Sequence, residues 1–209
     1  MQEGQTIRYM FKHSLEGIEQ LKAKRILIIL MVVLAGTNLS AFGAEPPALF
    51  PTRGHVLMIR HAVAPGSGDP VNFRIGDCST QRNLSDQGRV QAGQIGDWLL
   101  ARDIPVAGVY SSQWCRCLET AERMNLAPVK ELAALNSFYE RPQDREPNMN
   151  ALRAFLNRQP VDGNLIILVT HYVNIAALTG IGVSSGEGIL LKLNGNGKLA
   201  VVQRLDFGL

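Results

Sequence analysis

The sequence predicts an α/β domain: a three-layer sandwich with a mostly parallel central sheet, helices on both faces and an antiparallel hairpin at one edge. Three observations carry this. Strand-like apolar runs alternate with segments of helical periodicity, the order expected of a parallel sheet with crossover helices. Two of the runs, Val56-Leu57-Met58-Ile59 and Leu165-Ile166-Ile167-Leu168-Val169, are apolar throughout and so read as strands buried on both faces. Near the C-terminus, Gly188 to Leu193 and Leu199 to Leu205 flank Asn194-Gly195-Asn196-Gly197, a strong hairpin signal.

The elements follow in order. The first strand spans about His55 to Ile59 and stops at Arg60-His61. The stretch Ala62 to Arg82, rich in Gly, Pro and Asp, is too long for a mere connector. Ser85 is a good N-cap for a helix from Asp86 to Ala101, whose Ala92, Ile95, Trp98 and Leu99 share a face. A second strand leads from Ile104 through Tyr110 to Ser111-Ser112, and a helix from Trp114 to Met124 carries Arg116 in its first turn. Pro128 to Leu135 is ambiguous. Asn136 to Pro147 reads as polar loop and Met149 to Arg158 as an amphipathic helix stopped by Pro160. The third clear strand, Asn164 to Thr170, ends at His171, and a short helix from Asn174 to Leu178 ends at Gly180.

Composition narrows the class. The 209 residues are 46% hydrophobic and 19% charged, which suits one globular domain with an appendage. A net charge of +3 without a clustered basic face speaks against a nucleic-acid partner. The appendage is residues 1–44. Lys22-Ala23-Lys24-Arg25, the apolar run Ile26 to Ala35 and the small residues up to Ala44 form the three parts of a secretory signal. Cleavage is expected after Gly43 or Ala44, with Phe42 awkward at −3 for the latter. The long polar stretch Met1 to Leu21 leaves an uncleaved signal anchor, or a start at Met10, as the competing readings. The domain at 45–209 is then periplasmic or secreted, or faces outward from a membrane if the apolar segment is retained.

Cys78, Cys115 and Cys117 suit an exported chain with one disulfide and one spare thiol. Cys115 and Cys117 lie two apart on a helix and point in different directions, so Cys78 pairs with one of them. A Cys-rich metal site lacks its second pair of ligands. A zinc site of His55, His61 and His171 fails on distance, because six residues of strand separate the first two by about 20 Å. His13 and His55 read as surface and strand-start residues, Trp98 as core, and Arg82 as a solvated arginine with a phosphate contact as the alternative. Trp114 suits either a pocket mouth or the sheet edge.

Three strand ends carry related chemistry: Arg60-His61, Ser111-Ser112 with Arg116, and Thr170-His171. In a parallel sheet these ends share one edge. Two imidazoles and two guanidiniums in one crevice suit phosphate oxygens.

At these residues the chain resembles the histidine phosphatase superfamily, which also contains cofactor-dependent phosphoglycerate mutases. Leu57-Met58-Ile59-Arg60-His61-Ala62 is similar to its Arg-His-Gly motif. Ser111-Ser112-Gln113-Trp114-Cys115-Arg116-Cys117-Leu118-Glu119-Thr120-Ala121 is similar to its Ser-Ser-x-x-x-Arg-x-x-x-Thr-Ala motif, and Val169-Thr170-His171 to its second histidine. Asn83-Leu84-Ser85-Asp86-Gln87-Gly88-Arg89, completed by Gln91-Ala92, resembles its helix start. The likeness runs from about His55 to Gly180, and the order and spacing of the motifs are more specific than any one of them. It implies a metal-independent phosphomonoester hydrolase that needs no cofactor. His61 is the nucleophile that becomes phosphohistidine, while Arg60, Arg116 and His171 bind the phosphoryl group. Glu140, ahead of Asp144, is the candidate acid for the leaving oxygen, and Asn174 either contacts substrate or caps its helix. Ala62 departs from the motif's glycine. The partner is a small phosphorylated molecule, with an envelope phosphosugar suggested by export. The alternatives are a phosphomutase and a non-catalytic phosphate- or phosphosugar-binding envelope protein.

Overall fold

The computed structural model describes residues 53–195 and 198–209. The expected signal segment, His13, and Asn196-Gly197 of the hairpin turn lie outside the described residues. Six strands form one sheet: β1 His55–Arg60, β2 Val106–Ser111, β3 Val129–Glu131, β4 Leu165–Thr170, β5 Gly188–Leu193 and β6 Leu199–Leu205, in the order β3-β2-β4-β1-β5-β6. The pairs β1·β4, β2·β4 and β2·β3 are parallel, whereas β1·β5 and β5·β6 are antiparallel. This is the mixed, mostly parallel sheet with an antiparallel edge that the residue pattern predicts. The ambiguous stretch after Pro128 supplies the edge strand β3, followed by a 3-10 turn at Ala133–Leu135.

Helices α1 Asp86–Leu100, α2 Cys115–Arg123, α3 Arg145–Asn157 and α4 Tyr172–Thr179 cover the two faces. Val56, Met58, Ile166 and Leu168 point into a core with Leu152, Phe155 and Leu156 of α3 and Ile175 of α4. Leu57, Ile59, Ile167 and Val169 point the other way, against Ile95 and Leu99 of α1 and Cys117 and Ala121 of α2. Strand side chains alternate between faces, so a run buried on both must be apolar at every position. Trp98 packs with this second cluster, as expected, with its ring edge-on to Phe207.

Two boundaries differ from expectation. α3 begins at Arg145, four residues before Met149, and a 3-10 turn at Pro142–Asp144 precedes it. Pro147 suggested a loop, but it sits in the first helical turn, where a backbone N–H has no intrahelical acceptor and its loss costs little. α4 begins at Tyr172 with His171 as its N-cap residue, two residues before Asn174.

Candidate active site

The first motif is built by β1 and its neighbours. The register sets Arg60 beside Thr170, and His61 N donates to the Thr170 carbonyl at 2.9 Å. Gly186 N closes the other side onto the carbonyls of Arg60 and His61. His61 is 2% exposed, and its Nδ1 lies 2.8 Å from the Ala62 carbonyl. A carbonyl can only accept, so Nδ1 carries the proton and Nε2 keeps its lone pair. Burial, then the Arg116 charge, pushes His61 down to about 3, which keeps the ring neutral. Ala62 has no positive φ, so the methyl group that replaces the motif's glycine meets no backbone strain.

Other residues of the sequence motifs turn out to be braces on this loop. Thr120 Oγ1 accepts from Ala62 N at 3.1 Å and donates to the Arg116 carbonyl at 2.6 Å, joining the first motif to the second. Gln91 Oε1 accepts from Val63 N, while its Nε2 donates to the Ser185 carbonyl. Ser85 caps α1 by accepting from Gly88 N at 3.0 Å. Gly88 lies so close to the chain after β1 that a Cβ there would stand 2.1 Å from the Val63 carbonyl oxygen.

The end of β2 contributes Ser112, whose Oγ lies 2.9 Å from His171 Nε2 and 3.2 Å from Asn136 Oδ1. Arg116, in the first turn of α2, is 3% exposed. The end of β4 supplies His171, 4% exposed, with its ring centroid 5.5 Å from that of His61. Burial, together with His61 and three nearby arginines, holds His171 well below its ordinary value. Arg60, His61, Arg116 and His171 thus line one pocket of about 560 Å³. Glu140 lines it as well, exposed, with Oε1 accepting from Asp69 N at 2.9 Å.

Asn174 is not part of that lining. It is fully buried, with no capping bond, and its Nδ2 donates to the Asn136 carbonyl at 3.0 Å. The structure therefore places it beneath the site, not at the helix cap, with its Oδ1 buried and without a partner among the described residues. Asp144, the second candidate acid, lies outside the pocket lining in its 3-10 turn.

The loop after β1 holds what the motifs do not show. Asp69 forms a bidentate ion pair with Arg116, Oδ1 to Nη1 at 2.7 Å and Oδ2 to Nη2 at 3.0 Å, with both side chains nearly buried. Burial alone would raise the Asp69 carboxyl, but the bonds and charge of Arg116, with the bonds from Trp114 and Arg82 N, together outweigh it and hold the group below the usual carboxylate range. Arg82 is not solvated: it lines the pocket, Nε donating to the Gly68 carbonyl at 2.9 Å and Nη1 to that of Ala64. Trp114 belongs to the pocket mouth, stacked on Phe73 and donating from Nε1 to Asp69 at 2.9 Å. Cys78 is bonded to Cys115, with Cα atoms 5.7 Å apart, and ties this loop to the residue before Arg116. Cys117 is the buried free thiol, pushed by burial up to about 12 and hence uncharged. Among the described residues, no three His, Cys, Asp or Glu side chains are grouped as metal ligands would be.

Residues 56–142 match the model of the histidine phosphatase superfamily, branch 1. No curated protein matches the chain. Among solved structures, the protein histidine phosphatase SixA bound to tungstate is 16% identical, with a TM-score of 0.53 over 74% of this chain and 97% of that one. A mycobacterial hydrolase is 17% identical, with a TM-score of 0.51 over 73% and 96% of the two chains. A phosphoserine phosphatase from Entamoeba histolytica is 13% identical, with a TM-score of 0.50 over 73% and 97%. At these identities the likeness is one of fold.

Proposed function

We propose, for a chain that belongs to the histidine phosphatase superfamily, a phosphomonoester hydrolase that works through a phosphohistidine on His61. One observation carries the reading: a buried, neutral His61 has its proton fixed on Nδ1 and lines a pocket shared with Arg60, Arg82, Arg116 and His171. Nε2 attacks phosphorus in line, the ester P–O bond breaks, and Glu140 gives its proton to the leaving oxygen. Glu140 then takes a proton from water, which attacks the phosphohistidine to release orthophosphate and restore His61. The guanidiniums neutralise charge on the phosphoryl oxygens, the task a metal ion performs in other phosphatases.

The substrate is a small phosphorylated molecule. The disulfide and the signal-type N-terminus support an oxidising location, periplasmic or secreted, and with it an envelope phosphosugar. Release of orthophosphate from p-nitrophenyl phosphate, lost in His61→Ala, together with an acid-labile phosphoenzyme trapped in the wild type, is the expected result. Hydrolysis that survives His61→Ala overturns the mechanism. Tight phosphate binding without turnover of any phosphomonoester points to the binding protein instead, and return of the phosphoryl group to substrate points to a mutase.

A further inference from the structure

Arg116 offers two hydrogen-bonding edges, and only one is occupied. Its terminal edge, Nη1 and Nη2, is taken by the Asp69 carboxylate. Its side edge, formed by Nε and the second N–H of Nη2, is not: Nε is buried and has no partner among the described residues. Arg60 repeats the pattern, with Nη1 donating to the Val183 carbonyl at 3.0 Å while Nε is buried and unpartnered. Buried donors on cations are seldom left orphaned, and both arginines line the pocket, where an anion would supply the missing acceptors.

Asp69 itself is anchored from several sides. Oδ2 accepts from Trp114 Nε1 at 2.9 Å and Oδ1 from Arg82 N at 3.3 Å, while Asp69 N donates to Glu140. The Arg82 side chain and the Cys78–Cys115 disulfide secure the loop that carries it. A carboxylate fastened by this many contacts is part of the wall, not a stand-in that substrate sweeps aside.

We propose that Asp69 is a positioning residue: it holds the terminal edge of Arg116, so that the Nε–Nη2 edge of Arg116 and Nε of Arg60 receive the phosphoryl oxygens. This rests on the hydrolase reading above for its ligand.

The test is orthophosphate binding by titration calorimetry on the full chain, together with kcat and KM for p-nitrophenyl phosphate. Asp69→Asn keeps the shape but removes the charge, and it is expected to weaken orthophosphate by about tenfold or more, with a matching rise in KM. Because Asp69 acts through Arg116, Asp69→Asn in an Arg116→Ala background is expected to weaken binding no further. Trp114→Phe, which removes one donor to Asp69 and keeps the carboxylate, is expected to fall between wild type and Asp69→Asn, and it carries the test alone if that variant does not fold. Unchanged or tighter orthophosphate binding in Asp69→Asn or Trp114→Phe, or additive losses in the double variant, overturns the proposal. A wild-type chain that binds orthophosphate but hydrolyses nothing sinks the hydrolase reading alone. One that does not bind it sinks both.

Discussion

The rings of His61 and His171 stand edge to face, their centroids 5.5 Å and their planes 69° apart, and burial and the nearby arginines keep both neutral. Neutrality suits the nucleophilic role proposed for His61. It does not suit His171, which binds a phosphoryl oxygen best as a charged donor. A bound dianion supplies the counter-charge that three arginines and burial withhold. Tungstate binding at pH 6.5 is therefore expected to take up about one proton, read as a dependence of calorimetric enthalpy on buffer ionisation. His171→Gln removes that uptake, and binding without it in the wild type counts against a charged His171.

The same two rings make the fold acid-labile. Both have ordinary values near 6.5 when unfolded and lower values when folded, so below about pH 6.5 the unfolded chain binds more protons. Their contribution is complete above that pH and is lost as pH falls toward the folded values. The expected slope reaches about 1.4 kcal/mol per pH unit for each histidine. Asp69 adds to the loss at lower pH still, since protonating its carboxyl removes the acceptor for Arg116. Urea denaturation from pH 7.5 to 5 measures this, and His61→Asn should reduce the slope by about one proton.

Two glycines of α1 should respond oppositely to alanine. At Gly88 the added methyl would meet the Val63 carbonyl oxygen at 2.1 Å, and overpacking against backbone costs about 1–3 kcal/mol. At Gly93 a Cβ meets nothing within 4 Å, so Gly93→Ala is expected to raise stability by about 0.5–1 kcal/mol. Gly88→Ala should also lower kcat, because Val63 follows the His61 loop. Equal effects at the two positions would contradict the close approach.

The Cys78–Cys115 bond closes a loop with a sequence separation of 37, for which chain entropy gives a contribution of about 3–4 kcal/mol. Cys78→Ser with Cys115→Ser is expected to lower stability by that order and to raise KM, since the released loop carries Asp69 and Arg82. Dithiothreitol should reproduce both effects in the wild type and neither in the double variant.

Glu140→Gln separates the acid's role from its contact with the loop. A poor leaving group needs a proton and nitrophenolate does not, so hydrolysis of an alkyl phosphate should fall about a hundredfold while p-nitrophenyl phosphate stays within about tenfold of wild type. Equal losses on the two substrates would assign Glu140 to holding Asp69 N.

Strands β1 and β4 were legible because each is apolar along its whole length, and the meeting of their polar ends follows from their being parallel neighbours. The meeting of Arg60, His61, Arg116 and His171 at one pocket was therefore readable from residue order alone. Asp69 was not. It lies in a loop of Gly, Pro and Asp with no periodicity, and its pairing with Arg116 spans 47 positions that no local pattern connects. The signal that could have found it is the excess of positive charge where the three strand ends meet, which a carboxylate from a neighbouring loop would offset. Arg82 was misread for the same reason, because its carbonyl partners are backbone and leave no trace in side-chain pattern. Asn174 was drawn toward the site by its place after His171, yet its helix starts two residues earlier and turns the side chain under Asn136.

The strand order has a consequence for how the molecule comes to life. β4 is inserted between β2 and β1, which precede it in the chain by more than fifty residues. A nascent polypeptide therefore carries His61 and Arg116 before the strand that supplies His171 and parts β1 from β2 has been made. Pairing of such distant segments is slow, because loop closure must precede its reward. Competence to handle phosphate should accordingly arrive late in maturation, as one cooperative event when the last parallel strand docks.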